Sequence, residues 1–573
     1  MVRDGRRPFA RMQQGSRSSI SSARRFASPC LCLSLLVACG DSGAGTGTGT
    51  GTTEGDTGEM TVGGTTDGSS GGPTSGGDPT SAIEAPTTSS SSSASPTCGD
   101  GQLDPGEECD DGAANGDGAA CTSECKQQTA CTPAGDAFAL LSRVPAGQDG
   151  TLARGEPVVL DFGCTVDRET VSDATIAVHG SQSGRRAFTV EWTEDGKAEL
   201  VFAAPLHPAE RVDVTLTSGV RDAQGEALAP RVFQFTVSGA PGTGVFTATD
   251  ASVGAGFPAL GDVDGDGDLD VVRSTGDVFL NEGGDVFTVV EYDYSCYSLG
   301  GHVTLADIDA DRDLDILCFG NSGVGSIWHN DGAGAFAQGP AQDVLNGKEK
   351  YLAGDLDGDG DLDLYAVTLS TDVGDEVLLN DGAGAFTPGA TGIGSVSTTG
   401  AVLTDLDGDG DLDVAYGNGQ FDEAASVSLN DGTGQFQATR VSLGNGAHAN
   451  NGVDAGDVDG DGAADVLVLP YYDGWARVWR NSGAAMFSEG HDFATSNVED
   501  ALLRDLDGDG DLDAISANDD FFEKANLVWL NAGDGTFTAG PAFGGGGEGL
   551  AVGDVDGDGV VDAVVKGTVF LGG

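Results

Sequence analysis

The sequence predicts an all-β chain: a seven-bladed β-propeller of four-stranded blades, preceded by a β-sandwich and a small disulfide-rich knot. Three observations predict it. An acidic nonapeptide recurs seven times in the second half, beginning at Asp262, Asp307, Asp355, Asp405, Asp457, Asp505 and Asp554, at intervals of 45, 48, 50, 52, 48 and 49 residues. Each interval holds about four strand-like runs, and four strands per repeat, taken seven times, is the arrangement of a propeller. Ahead of the repeats, from 134 to 238, short β-branched runs are separated by Gly or Pro at the spacing of a sandwich.

Composition narrows the function classes. Of 573 residues, 27 are Lys or Arg and 91 are Asp or Glu, a formal charge of −64. Nucleic acid affinity rests on cationic neutralisation of phosphates, so no nucleic acid partner is expected. The 94 Gly and 19 Pro are about a fifth of the chain, below the roughly 25–30% of a wholly low-complexity sequence. A turn-rich folded protein is therefore expected.

The chain opens with an Arg-rich stretch and an apolar run of about a dozen residues, Ala27 to Ala38, too short to span a membrane. Residues 1–38 read as an export signal. Its end, Leu36-Val37-Ala38-Cys39, resembles the lipobox of bacterial lipoproteins. The resemblance implies that Cys39 is lipidated and becomes the mature N-terminus, leaving the protein anchored to the outer membrane or cell surface of a Gram-negative bacterium. Contact with the membrane would be through that anchor only; an ordinary cleaved signal is the competing reading. Residues 39–97 are nearly all Gly, Ser, Thr, Asp and Pro. Such a segment cannot bury enough apolar area to offset chain entropy, and forms a disordered tether with a mean reach of about 40 Å.

Residues 98–131 carry Cys98, Cys109, Cys121, Cys125 and Cys131 in too short a span for a core of its own. In an exported chain this spacing favours disulfides; zinc is the alternative, although no His lies nearby. The stretch resembles the short Cys-rich repeat of myxobacterial surface proteins. Cys164 is a candidate partner for Cys131, and Cys296 and Cys318 form a second candidate pair.

Within 134–238 the runs at 157–162, 188–192, 198–202, 212–216 and 232–237 read as strands. The segment Gly219 to Leu228 and its following strand resemble the bacterial Ig-like domains of surface proteins, so the sandwich is expected to be Ig-like and to act as a rigid spacer.

The repeats, 242–573, carry the metal chemistry. The candidate ligands are Asp262, Asp264, Asp266, Asp268 and Asp270 in the first loop and Asp307, Asp309, Asp311, Asp313 and Asp315 in the second. They continue with Asp355, Asp357, Asp359, Asp361 and Asp363, then Asp405, Asp407, Asp409, Asp411 and Asp413. The fifth loop offers Asp457, Asp459, Asp461, Ala463 and Asp465, the sixth Asp505, Asp507, Asp509, Asp511 and Asp513, the seventh Asp554, Asp556, Asp558, Val560 and Asp562. Carboxylates stand at positions 1, 3, 5 and 9, Gly at position 6 permits a sharp turn, and position 7 is free to offer its carbonyl. Hard oxygen ligands in that number suit Ca2+, up to seven ions. An EF-hand is excluded because position 12 is never acidic. The second loop has Arg312 where Gly is expected, so its site is expected to be the weakest.

About 20 residues after each of the first six loops comes a strand ending in Asn, a tight turn and a strand opening on Phe, as in Leu378-Leu379-Asn380-Asp381-Gly382 to Phe386. Together the two signatures resemble the FG-GAP and VCBS repeats of the integrin α-chain head. That resemblance implies a calcium-binding propeller in a cell-surface adhesion or ligand-binding module. The last repeat lacks its Phe strand, and residues 244–250 have the form of the missing piece, so the N-terminal strand is expected to complete the seventh blade.

Enzyme signatures are scarce: there is no His-Glu-x-x-His, and the only Gly-x-Ser-x-Gly lies in the tether. No enzymatic activity is expected; a polysaccharide lyase-like enzyme on the propeller is the alternative. Tyr471, Tyr472 and Trp475, with Phe521 and Phe522, interrupt the fifth and sixth repeats and are candidates for a glycan or protein ligand, with packing against a neighbouring blade as the competing role.

Overall fold

The computed structural model describes residues 138–573, apart from 285, 293–295, 297–301, 320–322, 369–373, 395–397, 419–423, 438, 445–449, 471–473, 496–497, 519–523 and 548. Cys39, the knot cysteines from Cys98 to Cys131, and Tyr471, Tyr472, Phe521 and Phe522 lie outside the described residues, as does the side chain of Trp475. The described residues are all-β, with only two single turns of 3-10 helix, Arg168–Thr170 and Asp343–Leu345. Among them no helix is long and apolar enough to cross a membrane.

Residues 142–238 form two sheets. One orders Ser142–Val144, Val158–Asp161, Ala198–Phe202 and Phe188–Trp192; the other orders Gly150–Ala153, Arg231–Ser238, Arg211–Leu216, Ile176–Gly180 and Gly184–Arg185. Gly150–Ala153 runs parallel to Arg231–Ser238, and the remaining pairs are antiparallel. The period-two pleat explains the core. Val212, Val214, Leu216, Phe233, Phe235 and Val237 enter it with Leu160 and Leu200 of the facing sheet. The alternate residues of the same strands, Thr215, Gln234, Thr236 and Ser238, are polar and nevertheless buried. Something covers that second face.

Each of the first six repeats builds one four-stranded antiparallel sheet, for example Lys350–Gly354, Asp363–Val367, Asp375–Leu379 and Thr387–Ile393 in the third. The acidic loop joins the first strand to the second, and seven such sheets follow in chain order. Side chains leave both faces of each sheet into separate cores. Leu364 and Ala366 join Ile308 and Leu317 of the second repeat, whereas Tyr365 and Val367 join Leu403 and Val414 of the fourth. Leu260 and Val271 of the first repeat share a core with Val564 and Val569 of the last.

The seventh sheet is completed from the other end of the repeat region. Thr247–Ser252 pairs antiparallel with Thr568–Leu571, with Thr247 opposite Leu571. The expected strand is present in the expected sheet, beginning three residues later than the sequence suggested. Cys296, before the second sheet, is disulfide-bonded to Cys318 within it, with Cα atoms 4.9 Å apart; Cys164 is also disulfide-bonded.

Candidate metal centre

The third loop shows how the repeated residues divide their work. Asp355 accepts the Gly358 amide at 2.7 Å on Oδ1 and the Gly360 amide at 2.9 Å on Oδ2. Asp363, the ninth residue, accepts the amides of Leu356 at 3.0 Å and Asn380 at 2.8 Å. The first and last carboxylates thus fold the loop on itself. Gly358 and Gly360 sit at φ of 76° and 99°, in the left-handed region that glycine enters at least cost.

Asp357, at position 3, is different: its Oδ1 is buried and has no hydrogen-bond partner. Asp264, Asp309, Asp459 and Asp507, its counterparts in four other repeats, share that property, as do Oδ1 of Asp307 and Asp554 at position 1. A buried acceptor left unmatched costs about 1–3 kcal/mol, more when charged. Donor oxygens of Asp355, Asp357 and Asp359 lie within 4.8 Å of one another, and similar triads form in other loops, including Asp262, Asp264 and Asp270 and Asp405, Asp407 and Asp413. Carboxylates about 5 Å apart repel by roughly 3 kcal/mol per pair at an effective dielectric near 20. Burial pushes Asp363 up to about 8 and Asp413 up to about 9, against the backbone amides that each accepts, so ionising these groups is disfavoured unless a cation stands beside them. Orphaned oxygens converging from an all-oxygen set fit a hard divalent cation.

Position 7 behaves otherwise. The carboxylate of Asp411 turns toward the Asn-Asp-Gly turn of its own repeat, where a methyl group on Gly432 would stand 2.5 Å from Asp411 Oδ2. Ala463 and Val560 replace Asp at this position in the fifth and seventh loops.

Two features of the site were not foreseen. The first is the recurring Asn. Asn380 Nδ2 donates to Leu362 O of its own loop at 3.0 Å and to Ile308 O of the preceding loop at 2.8 Å. Asn330, Asn430, Asn481 and Asn531 each bond the preceding loop in the same way, at Val263, Leu356, Leu406 and Val458. Asn281 of the first repeat bonds Val555 of the seventh. The seventh repeat has Gly572 in place of Asn, and there the amide of Gly242 reaches the sixth loop, 2.7 Å from Asp507 O. The sequence held the signal, an Asn at one position in six units, but its spacing reads simply as a turn.

The second is what covers the loops. Carbonyls at position 6 of five loops accept bonds from the domain ahead of the repeats and its exit segment. The Gln148 amide donates to Gly462, Val232 to Gly410 and Ala240 to Gly559, while Thr151 Oγ1 donates to Gly510 and His179 Nε2 lies 3.3 Å from Gly360 O. Gln182 O accepts the Asp262 amide of the first loop, and Asp173 pairs with Arg312 of the second at 3.3 Å. Between these contacts, Arg211 bridges Asp149, Gln234 and Leu403 O. The polar second face of the five-stranded sheet therefore rests on the rim that carries the acidic loops. The segment expected as a spacer is a cap on this rim.

Comparison with known proteins agrees with the residues. Residues 307–366, 355–416, 405–468 and 505–565 match the FG-GAP-like repeat, and residues 135–237 match the bacterial Ig-like domain. The chain carries four FG-GAP-like repeat matches, which reach six of the seven loops, and a bacterial Ig-like domain. No curated protein matches the chain. Among solved structures, one similar chain is described as "BBS1N in complex with ARL6DN, soaked with mercury", 12% identical with a TM-score of 0.40, over 57% of this chain and 96% of that one.

Proposed function

We propose that this chain, with its FG-GAP-like repeats and bacterial Ig-like domain, is a calcium-binding cell-surface module for adhesion or ligand binding. In this reading the seven four-stranded sheets are the blades of a closed propeller, the two-sheet domain is an Ig-like sandwich, and Cys39 is the lipid anchor. The observation that carries the calcium assignment is the set of buried, unpartnered Asp oxygens at position 3 of five loops. Asp357 and its counterparts, with the position 1, position 5 and position 9 carboxylates, would hold the ion. Its charge would offset their mutual repulsion and fix the position 6 carbonyls that seat the cap. Ring closure is supported by the Asn281 bond to Val555 and by the shared core of the first and last repeats. Ligand binding rests on the repeat resemblance and on the aromatic insertions in the sequence.

A calcium titration followed by melting temperature tests the metal assignment; no shift between chelated and calcium-loaded protein would refute it. A glycan array read beside a screen for polysaccharide depolymerisation tests the role. Binding without product release is the expected outcome, and released oligosaccharide would favour an enzyme.

A further inference from the structure

The second loop keeps the shape of the others with the wrong residues. Ala310 and Arg312 occupy the two glycine positions at φ of 60° and 84°. The Arg312 amide still donates to Asp307 Oδ2 at 3.0 Å, and the Asp313 amide to Asp311 Oδ1 at 3.1 Å. Asp315 also keeps the Asn330 amide at 2.9 Å, so the frame is kept in part, without the bonds from the fourth residue's amide to the first carboxylate and from the second residue's amide to the ninth that the third loop makes. Asp307 is 2% exposed, and its Oδ1 and that of Asp309 are buried without a partner.

A nitrogen joins this frame. His329 occupies the position before the recurring Asn, where the other repeats have Leu280, Leu379, Leu429, Arg480, Leu530 and Leu571. Its Nδ1 lies 3.1 Å from Asp309 Oδ2 and 3.3 Å from Asp315 Oδ2. Donors about 2.1 Å from one ion, at angles of roughly 90–110°, stand about 3.0–3.4 Å apart. The spacing fits ligands sharing a small ion, as it also fits a hydrogen bond between Nδ1 and Asp315. Calcium takes six to eight oxygens and has little use for imidazole, whereas borderline ions such as Zn2+ and Co2+ accept mixed imidazole and carboxylate sets.

We propose that the second loop is a separate metal site for a borderline transition ion of the Zn2+ class, held by His329 Nδ1 with Asp309 and Asp315, whose ligand atoms all lie within 4.8 Å of one another. This rests on the loops being metal sites and departs from the calcium assignment at one of them. The rival arrangement is a protonated His329 that ion-pairs with Asp309 and Asp315 and replaces any metal.

The test uses the full chain, stripped of metal and then given Zn2+ or Co2+ in the presence of excess Ca2+. Wild type retains one equivalent of Zn2+ after gel filtration, and His329→Leu, the residue most repeats carry, loses it. The calcium-dependent melting shift persists in that variant, so failure of the zinc site and failure of the calcium reading are separable. Retention of equal Zn2+ by His329→Leu, or no retention by wild type, overturns the proposal. X-ray absorption of Co2+-loaded wild type gives a check that needs no variant: an imidazole in the first shell supports the site, and an all-oxygen shell overturns it.

Discussion

The side-chain amide of Asn281 donates to the carbonyl of Val555 at 2.7 Å, across 274 residues of sequence. The same amide bonds Leu269 O at 3.2 Å. Asn281→Ala leaves two buried carbonyls without a donor, at about 1–3 kcal/mol each. The expected result is a loss of about 2–4 kcal/mol in denaturant unfolding, and an unchanged midpoint would show that this seam carries no stability.

Chelation should reach the cap through the loops. The amides of Gln148, Val232 and Ala240 bond loop carbonyls, so their hydrogen exchange should accelerate in EDTA, while amides inside the two-sheet core, such as that of Leu160, should not respond. At calcium 100 times the dissociation constant, each filled site adds about 2.7 kcal/mol to global stability. Equal exchange at Val232 with and without calcium would separate loop loading from cap seating.

His179 makes the cap sensitive to acid. It is 5% exposed, its Nδ1 is buried without a partner, and burial pushes its pKa down to about 4. A folded pKa below the unfolded value near 6.5 means that this contribution is complete above pH 6.5 and is lost as pH falls toward 4, about 3 kcal/mol across the window. Buried acids with raised pKa values, such as Asp149 at about 6, act in the opposite direction over part of this range. The measurement is therefore the difference in stability between wild type and His179→Gln at each pH. It should narrow as pH drops from 6.5 to 4; a pH-independent difference would contradict the assignment.

Gly432 has φ of 74° and faces the Asp411 carboxylate. Gly432→Ala must strain the backbone and displace that carboxylate, costing about 1–3 kcal/mol or more. Gly284, also at positive φ but in open space, provides the comparison: Gly284→Ala should show only the backbone cost.

The Cys296–Cys318 bond closes a loop with a sequence separation of 22 residues. Replacing both cysteines with Ser should lower stability by about 3 kcal/mol on chain-entropy grounds. Full retention of the melting temperature would mean that packing around Cys318 already fixes the loop.

The acidic loops were legible because one chemical need recurs seven times at nearly constant spacing. The completing strand was legible for the same reason: a unit short of one strand exposed the gap that Thr247–Ser252 fills. The cap was not, because alternating polar residues such as Gln234, Thr236 and Ser238 have the pattern of a solvent-facing sheet, and most of its bonds go to backbone carbonyls, which leave no mark in a sequence. His329 was hidden differently. It occupies a strand position held by Leu in five repeats, and only the pleat reveals that this position overlooks the loop.

Thr243 bonds the carbonyl of Gly573, 330 residues away, and the strand at Thr247–Ser252 finds its neighbour only in Thr568–Leu571. A chain that emerges from its N-terminus must therefore carry an unpaired strand edge through the synthesis of every intervening repeat. The first strand cannot be paired before Thr568–Leu571 has been made, and a product truncated ahead of that strand would present an open edge that a second copy could fill. The seventh sheet is thus the last that can close, because it pairs the first strand of the repeat region with the last.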